Sequence, residues 1–461
     1  MAINKTQNPK LTCGYVAFGT QFYEPKNLFD ISARAEKQLK DAGLELLHAG
    51  VVYGETDLPT NAIEFLKKQE FDFLFVNIIN WIDTRGVFRV LHEFRNVTMV
   101  LYSFGGFTAK EGEFGYKAGT LISPAAGAGS TSLRYTMEQW GIKFNYLFNG
   151  PDQPMDIKGI LNFAKAAHVA KKLKHARLGM FGFNDMGLYS TSYNPTRMRD
   201  QLGIEVESVD LLQLKNKMES LSDAEVKAET ARVSKEWEYP LGNPQPETIE
   251  KAVRMYMATV KICEEKGFDA VSYKCVEGVD QEMGLVHAIP ASLVNSAGYP
   301  YIDENDLGNL AAELMLKWLT NQQTMFIEHY EHHPEYILLG EDGYCPFDFV
   351  EGKVQIKKIS TVLLEGIVQC SNMKKGRYTM ACLQENYDGY QMQIVTGEGK
   401  ERPQWVEMGV PLPSWPSIKF YPDISVREVL DKVQSQHYAC VMGDHAESLK
   451  VLCKLLNIKV L

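Results

Sequence analysis

Apolar and polar residues follow two different periods along the first third of the chain. The continuous apolar segments KLTCGYVAF, FDFLFVNII and VTMVLYSF are typical of buried strands, and segments such as ISARAEKQLKDAG repeat apolar residues at helical spacing. Apolar strands that alternate with helices predict a parallel sheet covered on both faces. We therefore expect an α/β domain over residues 1–172, in which the Gly/Ala/Ser-rich stretch 105–129 forms a long surface loop.

The same alternation restarts near residue 175. ARLGMFGF, IEVESVDLLQL and FDAVSYKC predict strands, and the segments 218–238 and 246–266 predict helices. A second α/β domain is therefore expected over residues 173–345. We expect both domains to contain doubly wound, Rossmann-like parallel sheets, in which ligands bind beyond the carboxyl ends of the strands.

After residue 345 the pattern changes to closely spaced β-prone segments with turn residues between them. These segments are VQIKKISTVLLEGIVQC, GRYTMACLQENY, GYQMQIVTGEG and QWVEMGVPL, and an amphipathic helix, HAESLKVLCKLLN, follows near the end. The pattern predicts a C-terminal β-rich domain over residues 346–461, an antiparallel barrel or sandwich.

Composition excludes several classes of protein. The 461 residues carry a formal net charge of −10, which does not favour nucleic acid as a partner. No apolar run reaches the roughly 18 residues that a membrane span needs, and the N-terminal residues show no signal-peptide pattern. The eight cysteines contain no CxxC pair, which argues against a disulfide framework and a thiolate zinc site. We expect a cytoplasmic protein without a membrane or nucleic-acid partner.

Three segments concentrate side chains that bind hard or borderline metal ions. YIDENDLGN places Glu304 between a strand and a helix, TMFIEHYEHHPE places Glu328 where an apolar run ends, and QSQHYACVMG places His437 at the start of a strand. Each has a simpler interpretation, namely helix capping, an exposed polar turn and an ordinary strand-end histidine. Two carboxylates and one imidazole suit Mn²⁺, Mg²⁺, Co²⁺ or Zn²⁺, but residue spacing leaves their convergence open.

Two stretches of the chain, which contain residues of these three segments, resemble the L-fucose and L-arabinose isomerase superfamily. IPASLVNSAGYPYIDENDLGNLAAELMLKWLTNQQTMFIEH is similar to its metal-binding stretch, where a Glu-x-Asp element precedes a helix and a second acid follows one helix and one strand later. The matching residues are Glu304, Asp306 and Glu328. KGRYTMACLQ resembles a strand of its last domain, and QHYACVMGDHAESLKVLCKLLNIKV resembles its terminal ligand-bearing segment, which implies His437 as a ligand.

The resemblance implies a metal-dependent aldose–ketose isomerase that acts on a free pentose or deoxyhexose-type sugar through an ene-diolate. Glu304, Glu328 and His437 would hold a divalent ion, with Mn²⁺ expected first and Mg²⁺ or Co²⁺ as alternatives. The two glutamates would also transfer the proton. The resemblance further implies a homo-oligomer, a hexamer in that family, with the 105–129 loop as a contributor to a neighbour's pocket.

The chain departs from the family pattern at one place. Arabinose isomerase-like members have a further histidine ligand where this chain has Gly340-Glu341-Asp342-Gly343, and Glu341 or Asp342 is a candidate substitute. Two alternative functions therefore stay open. One is a metal-dependent sugar epimerase or lyase-like enzyme, and the other is a non-catalytic sugar-binding protein on the same scaffold.

Further pocket residues are expected around this centre. Asp306 is a candidate support for a ligand, with helix capping as its alternative. The loop after FDAVSYKC contains polar side chains that contact substrate or only solvent, and a tryptophan between prolines stacks on a sugar or packs internally. With the residue before His437, these candidates are Lys274, Glu277, Gln281, Gln436 and Trp415.

Overall fold

The chain divides into two compact units, residues 7–171 and residues 172–461. A computed structural model describes residues 10–20, 22, 25–122, 125–360, 365–402 and 415–461. The predicted strand QWVEMGVPL lies outside the described residues. Within these ranges, no helix is both long enough and apolar enough to cross a membrane. The predicted division into three domains stays a prediction.

The first unit is built on a parallel sheet. Its strands are β1 (Thr12–Phe18), β2 (Glu45–Val52), β3 (Phe73–Ile78), β4 (Met99–Ser103), β5 (Phe107–Thr108), β6 (Leu121–Ile122) and β7 (Phe144–Phe148). Its helices are α1 (Pro25–Asp41), α2 (Asp57–Leu66), α3 (Thr84–Glu93), α4 (Ala126–Gln139) and α5 (Ile157–Leu173). Five strands pair in the order β2-β1-β3-β4-β7, all parallel. The chain adds strands first on one side of β1 and then on the other, which confirms a doubly wound sheet.

The predicted loop at 105–129 is partly wrong. It contains the short β5–β6 hairpin, and its last residues belong to α4, which begins at Ala126. The small residues there allow a close approach rather than a turn, because a Cβ on Gly129 would lie 2.8 Å from the Asn80 carbonyl oxygen. The apolar side of α4 joins a core that includes Val76, Leu101 and Leu133.

The second unit begins with another parallel sheet. Its strands are β8 (Arg177–Phe181), β9 (Glu205–Val209), β10 (Ala270–Tyr273) and β11 (Tyr301–Ile302). The helices are α6 (Pro195–Arg197), α7 (Leu211–Glu219), α8 (Asp223–Val233), α9 (Pro246–Lys266), α10 (Ala288–Ser296) and α11 (Leu307–Thr320). The order β11-β10-β8-β9, again all parallel, confirms the second doubly wound sheet. The predicted strand IEVESVDLLQL is too long, because the Asp210 side chain accepts from Leu212 N and starts α7.

The remaining strands form a closed antiparallel barrel. The elements are β12 (Met325–His332), β13 (Ile337–Gly340), β14 (Ile356–Ser360), β15 (Glu365–Gln369), β16 (Gly376–Asn386), β17 (Gly389–Glu401), β18 (Ser417–Pro422), α12 (Val426–Leu430), β19 (His437–Met442), α13 (Ala446–Leu455) and β20 (Lys459–Val460). Six strands close in the order β16-β19-β12-β13-β18-β17, with β17 pairing back to β16. Strand β20 adds parallel to β17, and β14 and β15 form a separate hairpin. The structure therefore selects the barrel over the sandwich.

Candidate metal centre

The turn between β11 and α11 positions Glu304 at the carboxyl end of the second parallel sheet. Glu304 and Asn305 both have φ of +55°, a left-handed conformation that residues other than glycine rarely adopt. The Glu304 N–H donates to Cys275 Sγ at 3.4 Å, and Asn305 Nδ2 donates to the carbonyl oxygens of Phe181 and Phe183. Two consecutive strained residues held by buried contacts indicate a functional site, because such strain persists only where the surroundings enforce it.

Strand pairing in the barrel brings Glu328 and His437 together. The two residues lie directly opposite each other on β12 and β19, so their side chains point to the same face. His437 Nε2 is 3.2 Å from Glu328 Oε1 and 3.0 Å from Glu304 Oε2. One donor atom from each of the three residues lies within 4.8 Å of the others. The sequence places Glu328 at the end of an apolar run, and we expected the strand to end there. In the structure the strand does not end at Glu328, because β12 continues to His332 against β13.

Asp306 fixes the orientation of the imidazole ring. Its Oδ2 lies 3.1 Å from His437 Nδ1, while its side chain also caps α11 by accepting from Asn309 N. The Asn309 side chain donates to Asp306 Oδ2 at 2.8 Å and accepts from Leu383 N at 2.8 Å. The Nδ1–H of His437 therefore donates to a carboxylate that is itself held in place, and Nε2 faces the two glutamates. Asp306 therefore caps α11 and also contacts His437, and its role as support for a metal ligand stays a prediction.

Burial and neighbouring charges shift the pKa values of Glu304 and His437. Burial raises the pKa of the Glu304 carboxyl, and Asp303 and Glu328 add to this effect, while His437 opposes it. Burial alone would lower the pKa of His437, but the nearby carboxylates of Asp306, Glu304 and Glu328 together raise it well above its usual value. A cation bound at Nε2 would therefore compete with a proton for His437.

The donor set fits a divalent cation. Glu304 Oε2 is buried and, among the residues that the structure describes, has no hydrogen-bond partner of acceptable geometry despite its proximity to His437 Nε2. Two carboxylates and one neutral imidazole are donors that Mn²⁺, Mg²⁺ and Co²⁺ accept, with positions left for substrate oxygens. Glu304, Glu328 and His437 are the residues that would hold such an ion.

A second group of acidic residues borders the centre, and sequence reasoning largely missed it. Asp303 accepts a hydrogen bond from Tyr301 OH, and its Oδ2 atom lies 3.1 Å from Nε2 of His287. The other ring nitrogen of His287 lies 2.9 Å from Asp280 Oδ1. The signal for Asp303 was its place directly after β11. His287 and Asp280 gave none, because their contacts join segments that the sequence pattern does not relate.

Glu341 and Asp342 complete this group. Burial raises the pKa of Glu341, and nearby Glu328, Asp342 and Asp303 raise it further. Burial also raises the pKa of Asp342 to about 7, while His287 opposes the shift. One oxygen atom of each of Asp303, Glu341 and Asp342 lies within 4.8 Å of the others. These two acids occupy the segment that the sequence analysis identified as lacking a histidine.

Most of the remaining predicted pocket residues have other partners among the residues that the structure describes. Lys274 forms an ion pair with Glu277 at 2.8 Å, and the Gln281 side chain is exposed. Gln436 accepts from Ser190 Oγ at 3.0 Å, and the Trp415 ring centroid lies 6.4 Å from that of Tyr330. A role in substrate binding stays a prediction for each of these predicted residues.

Comparison with known proteins gives an independent indication of function. No family model matches the chain. It is 20% identical over 409 residues to sulfoquinovose isomerases from Priestia aryabhattai and Priestia megaterium, covering 86% of this chain and 86% of each relative. This similarity identifies the chain as an isomerase, as the sequence analysis predicts. The similarity relates the chain to sugar isomerases in general. It does not assign the chain to the L-fucose and L-arabinose isomerase superfamily in particular.

Solved structures add nothing to this. A periplasmic solute binding protein from Actinobacillus succinogenes with bound D-allose is 11% identical, and the match covers 68% of this chain and 93% of that chain with a TM-score of 0.18. An arabinose binding protein from Geobacillus stearothermophilus is also 11% identical, and the match covers 57% and 74% of the two chains with a TM-score of 0.16. Scores this low support no structural argument.

Proposed function

We propose that this chain is a divalent-metal-dependent aldose–ketose isomerase that acts on a free pentose or deoxyhexose-type sugar. The observation that carries the proposal is the convergence of Glu304, Glu328 and His437, three residues from distant segments, on one point. The similarity to sulfoquinovose isomerases supports the same reaction type. The relation to the L-fucose and L-arabinose isomerase superfamily, and the choice of sugar, rest on the resemblance of the ligand-bearing segments.

Aldose–ketose isomerisation removes a proton from the carbon beside the carbonyl and returns one to the neighbouring carbon. A bound divalent cation would polarise the carbonyl and stabilise the negative charge of the ene-diolate. Glu304 and Glu328 approach the same point from two directions, so one carboxylate accepts the proton and the other acid delivers it. The Glu328 side chain is about 30% exposed and so is accessible to substrate, whereas Glu304 is almost fully buried.

His437 and Asp306 prepare the centre for the cation. Asp306 holds the Nδ1–H of the ring, so the neutral tautomer presents the lone pair of Nε2 towards the glutamates. We propose Mn²⁺ as the ion because two carboxylates and one imidazole combine hard oxygen donors with a borderline nitrogen donor. We also propose a homo-oligomeric state, which light scattering in solution would test.

The decisive experiment combines metal analysis with a sugar panel. The purified chain should be stripped of metal, reloaded with Mn²⁺, Mg²⁺ or Co²⁺, and incubated with neutral pentoses, hexoses and deoxyhexoses. We expect ketose formation from at least one aldose with Mn²⁺ and none after chelation. Full turnover without a divalent ion, or epimers as the only products, would contradict the proposal.

The ligand assignment requires its own control. His437→Asn should lower Mn²⁺ content by at least tenfold, because the ring nitrogen that faces Glu304 and Glu328 is lost. His333→Asn alters a histidine of the same barrel that pairs with Glu331, and it should retain the metal content of the wild type. Equal metal content in both variants would remove His437 from the ligand set.

A further inference from the structure

Four buried polar atoms near the candidate metal centre lack hydrogen-bond partners. Among the residues that the structure describes, these atoms have no partner: Tyr330 OH, Glu341 Oε2, Asp342 Oδ1 and Ser417 Oγ. Leaving a buried donor or acceptor unpaired destabilises the folded protein. Because most buried polar side chains are paired in native proteins, four unpaired atoms in one neighbourhood indicate groups that a ligand completes.

The residues that carry these atoms lie around Gly340. In the barrel register, Gly340 lies opposite Glu328 on one side and opposite Ser417 on the other. A Cβ on Gly340 would lie 2.7 Å from the Tyr330 ring and 2.8 Å from Ser417 Cβ, so both side chains close over this residue.

The acids of the group are anchored to the same strands. Glu341 and Asp342 follow Gly340 directly, and Glu341 N donates to the Pro416 carbonyl oxygen at 3.0 Å. The row His437, Glu328, Gly340, Ser417 crosses four adjacent strands and so connects this group to the metal centre.

The group is rich in atoms that bind hydroxyl groups. The hydroxyls of Tyr330 and Ser417 both donate and accept, and the carboxyl groups accept from alcohols. Among the described residues, the ion pairs of Asp303 and Asp342 are with His287 alone, at 3.1 and 3.9 Å. No lysine or arginine among the described residues forms an ion pair with these acids, so the group offers donors and acceptors to hydroxyl groups but no such cation to a sulfonate.

We propose that Tyr330, Glu341, Asp342 and Ser417 form a subsite for the hydroxyl groups of an uncharged sugar. This inference rests on the proposed isomerase function and specifies its substrate class. The subsite lies beside Glu328, where the part of the sugar beyond the reacting carbons would extend. It disfavours a sugar with a negatively charged end, so the substrate differs in charge from the sulfonated sugar that names the relatives.

Substrate preference provides the first test. We expect kcat/KM for the best neutral aldose to exceed that for sulfoquinovose by at least about 100-fold. A Glu341→Gln variant, which replaces a carboxyl group of the subsite by an amide, should reduce this ratio several-fold. A wild-type enzyme that prefers sulfoquinovose would overturn the proposal.

A binding measurement separates this proposal from the proposed function. Titration calorimetry of the Mn²⁺-loaded chain with a neutral sugar alcohol detects the subsite without requiring turnover. Tyr330→Phe and Ser417→Ala should each weaken binding by about tenfold, because each removes one hydrogen bond to a buried hydroxyl. Tyr387→Phe, at a fully exposed position in the β16–β17 connection, is the matched control and should bind like the wild type.

The outcomes are distinguishable. Binding that weakens only in the subsite variants supports the subsite even if no sugar is isomerised, whereas unchanged binding in both variants overturns it. A second Mn²⁺ ion per chain that disappears in Glu341→Gln would also overturn it, because the acids would then hold a cation rather than hydroxyls. Thermal unfolding of each variant confirms that the fold is intact.

Discussion

Glu328 and His437 lie directly opposite each other on antiparallel strands of the barrel, with Glu328 Oε1 3.2 Å from His437 Nε2. Strand register therefore determines half of the candidate metal centre. A slip of one residue would turn one of the two side chains to the opposite face of the sheet. The other half comes from the strained turn at Glu304, so two different elements must fold correctly before a cation can bind.

Glu328→Gln should remove isomerase turnover while leaving the fold intact. The amide cannot exchange a proton as the carboxylate does, so we expect kcat to fall by at least 100-fold. Glu331→Gln is a matched control, because Glu331 lies on the same strand and pairs with His333. Rates should be measured at saturating Mn²⁺, so that weaker metal binding does not imitate a catalytic defect. A variant with near-normal kcat would show that Glu328 does not transfer the proton.

Asp306→Asn should weaken metal binding without destroying the helix that Asp306 caps. Asparagine is a good N-cap residue, so α11 should still form, but the negative charge beside His437 Nδ1 is lost. We expect the dissociation constant for Mn²⁺ to rise by about 10- to 100-fold. Asp210→Asn, at the N-cap of α7, provides the control and should leave the constant unchanged. The same affinity in both variants would reduce Asp306 to a helix cap.

Glu304→Gln should stabilise the metal-free chain and abolish its stabilisation by metal. Glu304 is buried at a positive φ near two other acids, so its charge is unfavourable until a cation binds. The variant should therefore unfold a few degrees higher than the wild type in the presence of chelator. Added Mn²⁺ should raise the midpoint of the wild type and leave that of the variant unchanged. Thermal scans with and without metal test this, and equal metal responses would argue against ligation by Glu304.

The periodicity of apolar residues was sufficient to predict both parallel sheets and the change to an antiparallel β-rich domain, but not the choice between a barrel and a sandwich. It also placed Glu304 and His437 at element boundaries, and local resemblance linked them to Glu328. Periodicity does not report register, so the pairing of Glu328 with both His437 and Gly340 could not be read from the sequence. The polar half of β12 could be interpreted as an exposed turn, because it contains acids and histidines where a buried strand would have apolar residues.

The group around Gly340 was even harder to predict from the sequence. Tyr330 and Ser417 carry no recognisable motif, and their proximity depends on how three strands align. Gly340 is informative only once that alignment is known. The resemblance to arabinose isomerase-like proteins drew attention to a missing histidine there, but the unpaired atoms of Glu341 and Asp342 are visible only in the structure.

Gly340→Ala should destabilise the barrel and disturb the centre together. An added Cβ would lie 2.5 Å from the Pro416 carbonyl oxygen, which belongs to the backbone and cannot rotate away. We expect a loss of about 1–3 kcal/mol in the free energy of unfolding and a lower kcat, because the partner of Glu328 in the row is displaced. Gly127→Ala is the control, since its site in α4 is open and alanine favours helix. Its unfolding midpoint should stay level or rise, and a harmless Gly340→Ala would contradict the packing argument.

Lys317→Met should change stability in a pH-dependent manner. Burial lowers the pKa of Lys317 on α11 from 10.5 to about 8, and the nearby Lys172 acts in the same direction. The folded state therefore binds this proton more weakly than the unfolded chain, so the charged lysine costs stability below about pH 8. This cost disappears as the pH approaches 10.5, the value for the unfolded chain.

The methionine variant lacks this cost at every pH. It also lacks the hydrogen bond from Lys317 Nζ to the Gly298 carbonyl oxygen, which offsets part of its advantage. We therefore expect the gain in free energy of unfolding, variant minus wild type, to be largest at pH 7 and to decline towards pH 10.5. The total decline should be about 3 kcal/mol at most. Denaturant titrations of both proteins at several pH values between 7 and 10 measure this difference. A difference that stays constant over this range would mean that Lys317 keeps its ordinary affinity for the proton in the folded chain.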